Sequence, residues 1–203
     1  MTQVLAYVDG FNLYHGLKAR HGRRYLWLDL EGLVRRLLKP GQVLAGITYF
    51  TASVRNDPAA LARQNAYLSA LRAMTSVEVV RGRFQHKRAT CHSCGASWTT
   101  YEEKETDVNI AVRLVEDAAL KRYDTALVIS ADSDLCPAVR SAKRLHPRGK
   151  VVIVFPPNRH SDELKRAGDS AFSVGDAVLR RAQLPETVTD HRGVVFTRPA
   201  TWK

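Results

Sequence analysis

Cysteine is scarce. The chain of 203 residues has three, Cys91, Cys94 and Cys136, an odd number and too few for a disulfide scaffold. Reduced thiols in a cytosol fit this usage. Long apolar runs are missing as well. Stretches such as Val151 to Phe155 are short, far below the ~20 residues of a membrane-spanning helix. Met1-Thr2-Gln3-Val4-Leu5 lacks a charged region followed by a long apolar one, so it reads as a first strand rather than a signal peptide. A soluble, cytoplasmic protein without a membrane partner is expected. There is no internal repeat and no long linker. Acids are the minority, 20 Asp and Glu against 31 Lys and Arg, for a net charge of +11. A surplus of that size favours polyanions, chiefly nucleic acid.

Hydrophobic residues make up 45% of the chain, enough for one compact domain with a full core. Five continuous apolar runs read as strands: Val4 to Val8, Val43 to Thr51, Val77 to Phe84, Thr125 to Ser130 and Val151 to Phe155. Helical patterns separate them. Asp29 is placed to cap the helix Leu30 to Leu38, Asp57-Pro58 opens another, and Val108, Ala111, Val112, Val115 and Ala119 form an apolar stripe. Alternating strands and helices, with uniformly apolar strands, predict a parallel sheet covered on both faces. The expected fold class is thus α/β, a three-layer α/β/α arrangement on a five-stranded, mainly parallel sheet. The domain is expected over 1–182. The polar stretch 85–101 reads as an insertion, a loop or small ribbon, and 183–203 as a polar tail.

Ligands of such sheets bind at the carboxyl ends of the strands, where strand order reverses. Asp9 ends the first strand, and Asp132 and Asp134 follow the fourth. If those strands are neighbours, the three carboxylates meet. Asp107 stands in the first turn of the helix before strand four, where an acid also simply favours the helix dipole. Clustered carboxylates need a counter-charge. Oxygen ligands suit Mg²⁺ or Mn²⁺, and such a metal activates water and stabilises charge on phosphorus. A basic protein with an acidic, metal-filled pocket has the parts for phosphodiester hydrolysis. A haloacid dehalogenase type of phosphatase fits less well, because Asp9 is followed by Gly10 and Phe11 and the second acid is missing.

Three stretches resemble a known family. Ala6-Tyr7-Val8-Asp9-Gly10-Phe11-Asn12-Leu13 resembles the opening motif of NYN domains, which belong to the PIN-like nuclease superfamily. Glu103 to Ala111 resembles their central motif, and Val128 to Leu135 with Pro137 the third, with Ala131 where Gly is frequent. The resemblance spans residues 4 to about 157. It implies a five-stranded parallel sheet and metal-dependent ribonuclease chemistry, with Asp9, Asp107, Asp132 and Asp134 as the acidic cluster and Asn12 as its polar companion. On this reading the chain is a Mg²⁺- or Mn²⁺-dependent endoribonuclease. The alternative is a non-catalytic module that binds RNA or a protein.

Other residues carry two readings each. Asn12 either caps the first helix or bonds a metal-bound water or Asp9. Lys104 contacts a scissile phosphate or is merely solvated. Cys91-His92-Ser93-Cys94-Gly95 is half a zinc site. With His86 and one more ligand, Cys91 and Cys94 could hold a structural Zn²⁺, or two chains could share one in a homo-oligomer. A redox dithiol or idle surface thiols are the alternatives. For nucleic acid, Arg23 and Arg24 stand near Tyr25 and Trp27, while Arg83, Lys87 and Arg88 flank Phe84. Cations interleaved with aromatics suit a single strand. RNA is the expected partner; DNA stays open, since nothing identifies a 2′-OH contact.

Overall fold

The computed structural model describes residues 1–91 and 93–202; for 84–88 and 99–103 it describes the backbone alone. In chain order the first half holds β1 (Thr2–Asp9), α1 (Gly10–His21), α2 (Leu30–Leu37), β2 (Gln42–Ala52) and α3 (Pro58–Met74). A hairpin follows, β3 (Glu78–Thr90) and β4 (Ser97–Lys104), then α4 (Thr106–Ala119), β5 (Thr125–Ile129) and α5 (Cys136–Leu145). The chain continues through β6 (Lys150–Phe155), α6 (Asp162–Ala167), β7 (Ser170–Ser173) and α7 (Asp176–Arg181). A small ribbon, β8 (Thr187–Thr189) and β9 (Val195–Thr197), precedes a last 3-10 turn at Ala200–Trp202.

The sheet order is β4-β3-β2-β1-β5-β6-β7. Six strands are parallel and β4 runs antiparallel to β3. The expected three layers are present, but the five strands need correction to six parallel ones plus β4. The sixth, β7, is four residues of Ser-Ala-Phe-Ser at an edge, partly exposed. It has neither the length nor the apolar continuity that marks a buried strand. β4 comes from the polar stretch, which pairs by its backbone from Arg83↔Lys104 to Thr90↔Ser97.

Side chains alternate across the strands and fill two cores. Val4, Ala6 and Val8 of β1 face α1, α2 and α3, meeting Leu13, Leu33 and Leu68. Tyr7 faces the other way, into the layer of Ile110, Leu114, Val139 and Leu164 from α4, α5 and α6. Residues beyond Pro185 add to the first core. Val188 and Trp202 are buried there, Trp27 Nε1 donates to the Pro185 carbonyl at 2.7 Å, and the Trp202 ring lies 6.0 Å from that of Tyr67. Among the described residues no helix is long and apolar enough to cross a membrane.

Strand order reverses between β1 and β5. From β1 the chain steps outward to β2 and β3, and from β5 to β6 and β7 on the other side. The carboxyl ends of β1 and β5, paired up to Val8↔Ile129, therefore flank the crevice where open α/β sheets bind ligands.

One charged group lies deep in the second layer. Asp117 of α4 is 1% exposed and accepts from Tyr7 Oη at 2.8 Å, Arg113 Nε at 3.1 Å and Arg122 Nη1 at 3.0 Å. Burial, then the adjacent Asp117 charge, push the Tyr7 phenol far above its ordinary pKa, so it stays a donor. Asp117→Ala strands the Tyr7 hydroxyl in the core. It should lower the unfolding free energy by about 2 to 3 kcal/mol in urea titration. A loss below about 1 kcal/mol would mean that water replaces the carboxylate without penalty.

Candidate functional site

At the reversal point one polar network joins the two halves of the sheet. Asp9 is 2% exposed and N-caps α1. Its Oδ1 accepts from the Asn12 backbone N–H at 2.9 Å and its Oδ2 from Ser130 Oγ at 2.7 Å. Ser130 Oγ in turn accepts from the Asp132 N–H at 3.1 Å, and Asn12 Oδ1 from the Ala131 N–H at 3.3 Å. Asp132 Oδ1 accepts from the Asp134 N–H at 2.9 Å, capping the 3-10 turn Ser133–Leu135. The cap of α1 is therefore Asp9 and not Asn12, whose side chain instead grips the β5–α5 turn.

Strand topology does bring Asp9 beside the Ser130–Asp132 turn. The first turn of α4 also returns to this edge, because Thr106 lines the same cavity as Gly10 and Thr51; Asp107 is half-buried there. The carboxylates nevertheless do not converge. Among the described residues no group of three or more His, Cys, Asp or Glu side chains is placed to hold a metal ion. Both Asp9 oxygens are committed to hydrogen bonds, and one of Asp132's caps a turn. Asp134 is exposed in a separate groove lined by Arg140, Glu163 and Arg166. The expected four-Asp Mg²⁺ or Mn²⁺ centre is thereby corrected, and with it the metal-dependent ribonuclease built on it.

The zinc expectation is corrected likewise, since among the described residues no such group surrounds Cys91 and Cys94. Cys91 and Cys94 are free thiols, and the side chain of His86 lies outside the described residues. The hairpin has another source of order. Its end is closed by backbone bonds, Cys91 N–H to the Ala96 carbonyl at 2.7 Å and Gly95 N–H to the Cys91 carbonyl at 2.9 Å. Amides of Cys94 and Ser93 point at the Cys91 sulfur and hold its pKa below the ordinary thiol value.

Several cations near the site have partners. Arg83 pairs with Glu105, Arg20 with Asp176 at 3.2 Å, and Arg24 lies over the Tyr25 ring at 5.4 Å. Trp27 is fully buried, so it offers no stacking face. Lys104 is half-buried at the end of β4, and the side chains of Lys87 and Arg88 lie outside the described residues. A second group, Arg23, Arg63, Arg140, Arg159 and Arg166, forms no ion pair among the described residues. Arg23 and Arg63 line an aromatic cavity of about 260 Å³ at the carboxyl ends of β1 and β2. Arg159 follows β6, with its N–H bonded to the Pro156 carbonyl, and Arg140 and Arg166 line the α5–α6 groove.

Sequence reasoning missed Arg63, Arg159, Arg166 and the cavity. Arg63 had a signal, four residues before Tyr67 and so on the same helical face. The others carried none, because their common location arises only from topology.

Two outcomes check this geometry. Asp9→Ala removes a helix cap and the acceptor of a buried hydroxyl. It should cost about 2 kcal/mol of stability by thermal or urea unfolding. Among the thiols, Cys91 should be alkylated by iodoacetamide first. Its half-maximal rate should fall at a lower pH than that of Cys136, whose pKa burial raises.

The fold and these motifs agree with comparison to known proteins. Across 97% of this chain and 74% of the relative, the sequence is 26% identical over 237 residues to 6-hydroxy-3-succinoylpyridine 3-monooxygenase HspA of Pseudomonas putida. A crystal structure of a protein of unknown function from Vibrio parahaemolyticus superposes with a TM-score of 0.57 at 18% identity, covering 90% of this chain and 96% of that one. That likeness supports the fold alone. The family model of the NYN domain matches residues 3–175, nearly the whole sheet with its helices. The chain belongs to the NYN domain family of the PIN-like superfamily.

Proposed function

We propose that the chain is a non-catalytic binding module that holds single-stranded RNA along the carboxyl edge of its sheet. The observation that carries this reading is a set of arginines at and beside that edge that form no ion pair among the described residues, Arg23, Arg63, Arg140, Arg159 and Arg166. Three arginines elsewhere are neutralised by carboxylates. Arg35 pairs with Glu31 at 2.7 Å, Arg113 with Glu78 at 3.0 Å, and Arg122 with Asp117 at 3.0 Å. A guanidinium without a carboxylate partner is ready to hold phosphate through two parallel N–H bonds.

Exposed aromatics supply the second component. Phe11 and Tyr14 on α1 and Trp98 on β4 present large apolar faces to solvent. Unstacked bases can pack on such faces, which favours a single strand over a duplex. The net charge of +11 adds long-range attraction. The family itself is one associated with nucleic-acid binding. The Asp9 network contributes rigidity, holding α1 and the β5–α5 turn in fixed relation.

Fluorescence anisotropy with a labelled single-stranded RNA tests the proposal. Binding should weaken steeply between low and physiological salt. The log–log slope should be about −0.7 per phosphate contacted. The combined variant Arg140→Ala, Arg159→Ala, Arg166→Ala should bind more weakly with a shallower slope. RNA recovered from the complex should be intact, whatever divalent ion is present. Absence of binding at low salt would refute RNA as the ligand, and cleavage that EDTA abolishes would refute the non-catalytic part. Equal affinity for DNA of the same sequence would show that the site reads backbone and base faces without the 2′-OH.

A further inference from the structure

The aromatic cavity has features that the backbone-binding proposal does not use. It lies between α1, α3, β2 and the C-terminal 3-10 turn, with a volume of about 260 Å³. That lies just below the roughly 300–1,000 Å³ of sites for drug-sized ligands, which suits one ring system and not a dinucleotide. Rings of Tyr49, Tyr67 and Trp202 build its walls. Tyr67 stands edge-on to both others, with centroids 6.4 Å and 6.0 Å away. Phe11 and Tyr14 stand exposed among its lining residues.

The walls are held in place before any ligand arrives. Tyr67 Oη donates to the Leu28 carbonyl at 2.8 Å. Gln64 accepts from the Val54 N–H at 2.9 Å and donates to the Ala52 carbonyl at 2.8 Å. Burial raises the Tyr49 phenol to about 12, so it remains neutral near pH 7. Among the described residues the lining includes two guanidinium groups, Arg23 and Arg63, and no carboxylate. A pre-formed apolar slot lined by cations, with the nearest carboxylates behind its tyrosine walls, selects a flat, negatively charged ligand.

We propose that this cavity binds a planar aromatic ring carrying one anionic group, with the ring against the wall of Tyr49, Tyr67 and Trp202 and the anion at Arg63 and Arg23. The shared chemistry has two sources, a free aromatic carboxylate or a single nucleotide unit. The proposal does not rest on RNA binding, since a free carboxylate satisfies it as well.

Isothermal titration of the full chain decides it. The probes are para-hydroxybenzoate and uridine monophosphate, each beside its uncharged counterpart, para-hydroxybenzamide and uridine. At least one anion should bind, and its neutral counterpart at least tenfold more weakly. Arg63→Ala should weaken the anion at least fivefold and leave the neutral ring unchanged. Ala60→Trp, which fills the cavity from α3, should abolish binding, with thermal melting to confirm the fold of both variants. Binding of the carboxylate alone identifies a small-molecule site, and of the nucleotide alone a base pocket. The proposal fails if neither anion binds to millimolar concentration. It also fails if neutral and charged rings bind alike, or if both variants bind as the parent does. In each of these cases the anisotropy with RNA is free to succeed, so the two readings fail separately.

Discussion

The buried carboxylate of Asp9 is the constraint on which the rest of this edge depends. A charged oxygen pair that is 2% exposed must be satisfied where it lies. One oxygen takes an N–H from the first turn of α1, and the other takes the hydroxyl of Ser130 across the strand gap. The helix N-terminus supplies partial positive charge at the same point. The carboxylate is stabilised by backbone and hydroxyl donors. The same bonds tie β1 to β5 at the position where the sheet reverses direction, so the crevice there has fixed walls.

Much of the acid in this chain is spent in the same way. Asp9, Asp29, Asp57 and Asp132 cap helical turns. Asp117 neutralises two arginines within the second layer, Asp124 bonds the Gln3 N–H, and Asp169 bonds the Val151 N–H and pairs with Lys143. Most of these carboxylates are placed by backbone N–H groups and not by the arginines of the carboxyl edge. The net charge of the chain is +11. Part of that surplus is the set of arginines at and beside the crevice that form no ion pair among the described residues.

The strand pattern was legible because the strands buried on both faces are continuous apolar runs. β7 was not, since an edge strand of Ser-Ala-Phe-Ser needs only one neighbour and little burial. The acidic motif was legible as a motif and misleading as chemistry. Asp-Gly after a strand and Asp-Ser-Asp before a helix spell helix caps as readily as metal ligands, and the spacing is the same in both. What separates the two readings is where each carboxylate points. Ser130 draws Asp9 inward, while Asp134 turns toward the α5–α6 groove; neither direction is written in the local sequence. Trp202 was equally opaque. It ends a polar stretch, and its burial depends on meeting Trp27 and Tyr67 from distant elements.

That meeting has a structural consequence. The aromatic cavity takes residues from α1, β2, α3 and the last turn of the chain. No two of these elements form a binding motif, and the cavity exists only when all are packed. Its far wall, Trp202, belongs to the segment beyond the region that matches the NYN family, residues 3–175. The family fold supplies the crevice and the cations beside it, whereas the segment after α7 helps to give this crevice its depth. Recognition of a flat ring is thus coupled to the docking of the C-terminal turn. Changes in that turn can alter the ligand without disturbing the sheet.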